Sequence, residues 1–213
     1  MIYRVIRLGA DAAASRAVER AAARLLDGEL LIHPTSTVYG LGGLPRPDLD
    51  GEICRLKGRE PGSPLIRLAA SVASLRRALP DLNWGEAAER LAGAFWPGPL
   101  TMVLEDGSVQ GLAVRVDPHP AVRTLLEEAD TLMTSTSINR SGESPVLRSL
   151  DVERVASSLP DAGVEVTFLD GGDLPSSPPS TIISLLGDEP RILREGAVGV
   201  ARIEASLGGR LPT

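Results

Sequence analysis

The sequence predicts an α/β fold, a single domain built on one mixed sheet flanked by helices. Apolar residues switch between helical spacing and short continuous runs along the 213 residues, the pattern of strands joined by helices. At two places strand-like runs follow one another across a turn alone, so a mixed sheet fits better than a purely parallel one. The one linker-like stretch, 171–179, is nine residues rich in Gly, Pro and Ser. It is too short to separate two domains and is expected to be a mobile loop bordering a site. No internal repeat interrupts this pattern.

The elements follow in order. Residues 3–8 read as a short strand. Residues 15–27 read as a helix, because Val18, Ala21, Ala22, Leu25 and Leu26 recur at helical spacing and Gly28 suits the C-terminal stop. Residues 29–33 form a buried strand that Pro34 ends. A helix over 48–57 turns Ile53 and Leu56 inward. A strand over 64–69 and a short helix over 71–79 come next, then a helix over 85–95 that Pro97-Gly98-Pro99 stops. Strands 100–104 and 112–116 flank a turn at 107–111. A helix over 121–128 precedes a strand over 131–134, which runs out into Ser135-Thr136-Ser137. A helix over 150–158, a strand over 164–169 and late strands over 181–185 and 191–193 complete the chain.

Composition narrows the function classes. Hydrophobic residues make up 43% of the chain and aromatics 3%, so the core is built from Ala, Val, Leu and Ile. The formal net charge of −6 leaves no global basic field for non-specific nucleic-acid binding, although a local basic pocket stays open. Cys54 stands alone, which excludes an intrachain disulfide and a cysteine metal site. His33 and His119 have no ligand spacing around them, so no protein metal site is expected. No apolar run approaches a membrane span, and the N-terminus lacks a signal-peptide pattern. The expectation is a soluble, cytoplasmic protein with no membrane partner.

Lys57 is the only lysine, against 21 arginines. It sits in Lys57-Gly58-Arg59, and a compact ammonium fits between phosphate oxygens where a planar guanidinium does not. Cations at a helix end are also favoured by the helix dipole. Other polar clusters fall at strand ends. Thr35, Ser36 and Thr37 follow a buried strand, and Gly40, Gly42 and Gly43 would allow close backbone approach to a ligand. Ser135, Thr136, Ser137 and Asn139 supply donors for carboxylate or phosphate oxygens. Ser180-Thr181 and Arg194-Glu195-Gly196 form a fourth cluster. Arg115 lies inside an apolar strand, where it must find an anion or reach solvent. No Walker loop, no GxGxxG and no Ser/His/Asp arrangement is present, so hydrolase chemistry ranks low. The paired carboxylates Glu127-Glu128 and Asp170 with Asp173 read as solvated faces.

Several ordered motifs together carry a resemblance: Pro34-Thr35-x-Thr37-x-Tyr39-Gly40-Leu41-Gly42, Lys57-x-Arg59, Phe95-Trp96-Pro97-Gly98-Pro99-Leu100-Thr101, Ala113-Val114-Arg115 and Ser137-x-Asn139-x-Ser141-Gly142. Ser180-Thr181 and Ile192-Leu193-Arg194-x-Gly196 extend them. Each motif is weak alone, but the ordered set resembles the YrdC/YciO family across roughly residues 15–200. The resemblance implies a twisted sheet with a concave basic cavity, and one such domain over 1–213 without the additional C-terminal domain of some relatives. It implies threonylcarbamoyl-AMP synthase activity, a nucleotidyltransferase reaction joining L-threonine, bicarbonate and ATP with release of pyrophosphate, with Mg²⁺ expected on the phosphates. A downstream threonylcarbamoyl transferase then modifies a tRNA adenosine, so tRNA is at most an indirect partner. By resemblance, Thr37, Arg115, Ser137 and Ser180 hold threonine, with Tyr39 lining the same cavity. Arg59, Asn139 and Arg194 contact ATP, and Lys57 its phosphates, which makes Lys57 and Arg59 the catalytic pair.

Three positions depart from the family pattern. Ser36 stands where many relatives carry an acid, Leu68 near the place where some carry a histidine, and Gly111 where some carry a threonine. Two alternatives therefore stay open: a YciO-like paralogue with an altered reaction, and a non-catalytic RNA-binding module. Net acidity and scarce aromatics oppose the second.

Overall fold

The computed structural model describes residues 3–8, 12–139 and 143–212. In chain order its elements are β1 (Tyr3–Arg7), α1 (Ala12–Leu26), β2 (Leu30–His33), β3 (Gly40–Gly43), α2 (Pro47–Leu56), β4 (Ile66–Ala69), α3 (Val72–Ala78), α4 (Glu86–Phe95), β5 (Leu100–Leu104), β6 (Leu112–Val116), α5 (Pro120–Glu128), β7 (Met133–Ser137), α6 (Ser149–Ser158), β8 (Val166–Asp170), β9 (Thr181–Ser184), β10 (Arg191–Arg194) and α7 (Val200–Leu207). The ten strands form one sheet in the order β1-β8-β2-β3-β7-β4-β6-β5-β9-β10. The pairs β1–β8, β2–β8, β4–β6 and β5–β9 are parallel, and the other five are antiparallel. The mixed α/β sheet is therefore as expected.

Local chemistry sets the helix ends. Pro47 opens α2, where its missing N–H costs nothing, and Asp48 and Asp50 complement the positive end of the helix. Ser71 and Ser74 cap α3 reciprocally. Pro120 opens α5, and Gly208 ends α7 in the left-handed conformation.

The two faces of the sheet are covered unequally. One face presents Leu30, Ile32, Leu41 and Phe168 to α2 and α6, and Leu100, Met102, Val114 and Ile183 to α3, α4 and α7. The other face presents Ile6, Leu31, Leu68, Met133 and Leu169 to α1 and α5 alone. Side chains alternate along a strand, so Ser135, Ser137, Ile66, Arg115 and Ile182 point to this second face. Beyond α1 and α5 that face lies open, and the candidate site forms there.

Three elements differ from expectation. Residues 40–43 form β3, a strand between β2 and β7, whereas the sequence suggested a glycine-rich ligand loop. Glycine is poor in strands, but a Cβ at Gly42 would lie 2.3 Å from the Thr134 carbonyl oxygen and one at Gly43 2.8 Å from Leu30, so close packing requires it. The strand expected over 131–134 runs instead over Met133–Ser137, because β3 and β4 pair with the hydroxyl residues from both sides. Helix α7 was not expected; it buries Ile203 against α4.

Candidate active site

The open face holds a cavity of about 400 Å³, within the range of small-molecule sites. Strand side chains form its floor: Ser135 and Ser137 from β7, Ile66 and Leu68 from β4, Arg115 from β6 and Ile182 from β9. Segments at the ends of strands and of one helix form its rim. Thr35 and Thr37 follow β2, Arg59 follows α2, Asn139 and Glu143 follow β7, Ser180 precedes β9 and Arg194 ends β10. Of the residues singled out in the sequence, Thr37, Arg59, Arg115, Ser137, Asn139, Ser180 and Arg194 thus line one cavity.

Arg115 is 4% exposed and finds its anion in Asp117, which is 0% exposed. Its Nε donates to the Gly98 carbonyl at 3.1 Å, Nη1 to Thr37 Oγ1 at 3.3 Å and Nη2 to Ser36 Oγ at 2.8 Å. The Pro97-Gly98-Pro99 turn therefore supplies an acceptor, not merely a helix stop. Burial lowers the guanidinium from its ordinary value, and the Asp117 carboxylate offsets this. Asp117 also accepts from Ser36 N at 3.0 Å and from Ser36 Oγ at 3.2 Å. Ser36, itself not an acid, is thus joined to the carboxylate that directly follows β6.

Across the cavity, Arg194 donates through Nε and Nη2 to the Ser180 carbonyl at 3.1 and 2.8 Å, and Ser180 Oγ lies 3.0 Å from Thr101 Oγ1. Burial and the nearby charge of Arg59 lower the Arg194 guanidinium. Among the described residues neither Arg59 nor Arg194 forms an ion pair. Thr181 holds the adjoining segment in place, donating to the Val198 carbonyl at 2.6 Å and accepting from Gly196 N and Val198 N.

Two residues stand elsewhere than expected. Lys57 does not line the cavity. It is 4% exposed, and its ammonium donates to the Ser137 carbonyl behind the wall. Burial first, then Arg59, pulls that ammonium from 10.5 to about 8, while Glu143 pulls it upward. The physical reason is reach: Lys57 caps α2 from beneath β7, so its stem meets the strand before the cavity. Tyr39 is 0% exposed and packs edge-on against Phe168 at 5.7 Å. Its hydroxyl donates to the Gly172 carbonyl at 2.6 Å and accepts from Gly171 N at 3.0 Å, with burial pushing it up to about 12. Tyr39 therefore anchors the start of the 171–179 segment rather than lining the cavity. That segment is tied again where Leu174 N donates to the Leu147 carbonyl. Of the three departures, Leu68 lies on the cavity floor, whereas Gly111 sits in the β5–β6 turn on the opposite face. Arg140, Ser141 and Gly142, part of the motif after β7, lie outside the described residues.

Sequence reasoning missed Asp117, Ser135 as a floor residue, and His33. His33 Nε2 lies 3.0 Å from Ser135 Oγ across 102 positions of sequence, which no local spacing could reveal. Asp117 had a local signature, an acid two residues beyond an arginine in an apolar strand. Among the described residues, no group of three or more metal-ligating side chains forms and no helix is long and apolar enough to cross a membrane.

The chain is similar to several known proteins. The Sua5/YciO/YrdC family model, described as "Telomere recombination", matches residues 23–196. A threonylcarbamoyl-AMP synthase of Bacillus subtilis is 32% identical over 204 residues, covering 90% of this chain and 56% of the relative. One from Chromohalobacter salexigens is 38% identical over 181 residues, covering 79% of this chain and 92% of the relative. The chain thus spans about half of the first relative and nearly all of the second. The structure of P. abyssi Sua5 complexed with L-threonine superposes with a TM-score of 0.80 at 29% identity, over 99% of this chain and 62% of that one. The fold of E. coli YciO matches with a TM-score of 0.77 at 22% identity, over 93% of this chain and 97% of that one. The family match spans most of the chain and includes every residue of the cavity, and the chain belongs to the Sua5/YciO/YrdC family.

Proposed function

We propose that this protein is a threonylcarbamoyl-AMP synthase, a nucleotidyltransferase that joins L-threonine, bicarbonate and ATP. The carrying observation is the convergence of Arg59 and Arg194 on one cavity without an ion-pair partner among the described residues. Two cations held together repel unless an anion bridges them, and a triphosphate is such an anion. The relatives that bear this activity support the same reading.

In this reading Thr37, Arg115, Ser137 and Ser180 hold threonine, and Arg59, Asn139 and Arg194 hold ATP. Asp117 already neutralises Arg115, so Arg115 serves as a fixed set of donors more than as a free charge. Threonine's neutral amine attacks the bicarbonate carbon, forming the C–N bond with loss of water. A carbamate oxygen then attacks the α-phosphorus, and pyrophosphate departs with the electron pair of the broken P–O bond. Both reacting partners are anions, so the cavity's contribution is positioning and charge screening. Mg²⁺ fits as a companion of the triphosphate, because such an ion keeps several waters and needs few protein ligands. Glu143 is the carboxylate at the cavity wall that would meet it. Lys57 acts through Ser137 and through its charge near Arg59. In this reading the enzyme works in the cytoplasm, and its product passes to a transferase that modifies a tRNA adenosine.

The test is pyrophosphate release. It is expected only when ATP, threonine and bicarbonate are present together. Release that persists without threonine, or no release at all, overturns the reading. Salt-dependent RNA binding without turnover would point to the nucleic-acid module instead.

A further inference from the structure

His33 ends β2 fully buried, and its ring lies over β3. On that face β3 is bare: a Cβ at Gly40 would stand 2.8 Å from ring atoms Cε1 and Nε2, and one at Gly42 3.3 Å from Nε2. The ring therefore crosses a whole strand to reach β7, where Nε2 lies 3.0 Å from Ser135 Oγ. Nδ1 lies 3.2 Å from the Pro34 carbonyl oxygen. A carbonyl can only accept, so the ring proton sits on Nδ1 and Nε2 is the acceptor. Ser135 must then spend its one proton on Nε2. What its oxygen offers the cavity is a lone pair.

The charges near the ring do not convert it into a base. Burial lowers the imidazole from 6.5 to about 4; Arg115 and His119 also lower it, and the Pro34 carbonyl and Asp117 oppose them. At neutral pH it is uncharged and too weak to activate the serine hydroxyl. The pair is an orienting device. Around it the floor is apolar: Ile66 stands opposite Ser135 in the β4–β7 register, and Leu68 follows on the same face. This corner suits a small group that is apolar except for one hydrogen-bond donor.

We propose that Ser135, oriented by His33, accepts the β-hydroxyl proton of the amino-acid substrate, while Ile66 and Leu68 receive its methyl group. The inference rests on the synthase reading. It makes Ser135 a substrate-contacting specificity residue and His33 a positioning residue.

L-Threonine and L-valine differ at this one group, so their affinities report on it directly. Binding of both would be measured by calorimetry on the full chain and on the S135A, H33F and H33Q variants. The native protein should prefer threonine. S135A and H33F should weaken threonine binding on the order of tenfold to a hundredfold, the cost of an unmade buried hydrogen bond, and leave valine within about twofold. H33Q, whose amide oxygen can accept from Ser135, should restore much of the preference. A merely structural role would weaken both ligands together. If H33F does not fold, S135A decides alone. An unchanged threonine-to-valine ratio in S135A overturns the inference and leaves the synthase reading standing. Native protein that binds no threonine overturns both.

Discussion

Arg115 shows how much a single buried charge can organise. It is held by Asp117 and three neutral partners, so removing either charge strands the other in the interior. Asp117→Asn is expected to destabilise the protein by about 3–5 kcal/mol, the usual cost of breaking a buried pair, measured as the shift in a chemical denaturation curve. Lys57 adds a pH dependence. Its folded pKa of about 8 lies below the ordinary 10.5, so between those values the unfolded chain holds a proton that the fold releases. The contribution of Lys57 to stability therefore rises with pH across that window, and below it the fold bears the cost of burying the charge. The cavity responds oppositely, losing a positive charge as pH rises through about 8. Affinity for a triphosphate should fall there, and the step should vanish in Lys57→Met. Lys57→Arg keeps the charge but overfills the slot beneath Ser137, so kcat/KM should drop at least about tenfold.

At the scale of elements, β3 is the sharpest case. Gly42→Ala places a methyl 2.3 Å from the Thr134 carbonyl oxygen, forcing β3 and β7 apart, and should cost about 3 kcal/mol or more. Gly51→Ala, within α2 and with nothing inside 4 Å, should instead stabilise by about 0.5–1 kcal/mol. Thermal melts of the two variants give opposite shifts if the account is right. The same strand marks the limit of sequence reading. Residues 30–33 and 100–104 announce themselves by continuous apolar runs, and α1 by its spacing. Gly40–Gly43 has no such mark, because its reason for being a strand lies largely in Thr134 to Ser137, remote in the sequence. Ser135 to Ser137 read as an exit from a strand because hydroxyls suit loops. Only pairing on both sides makes them β7.

For the whole molecule, the decisive fact is that α1 and α5 cover only part of one sheet face. The sequence marks most of the rim residues, since they follow strand ends in ordered motifs. It does not mark how far two helices reach across ten strands, and so it misses Ile66, Ser135 and Ile182 on the floor and misplaces Lys57. The cavity draws Thr37, Arg115 and Arg194 from widely separated parts of the sheet and its connections, so a ligand that bridges them ties the sheet together. Saturation with pyrophosphate or ATP at about 100 times Kd should stabilise the fold by about 2.7 kcal/mol. For a chain of this size that is a rise in Tm of about 5–10 °C. The double variant Arg59→Ala, Arg194→Ala should melt without that rise.

The bareness of β3 has a consequence for how this pocket can change over generations. A strand that tolerates nothing larger than hydrogen on its inner face is closed to mutation there, so new substrate preferences must enter through its neighbours. Positions 66, 68, 135 and 182 remain as the variable alphabet, and a library restricted to them would sample most of the shapes this floor can take.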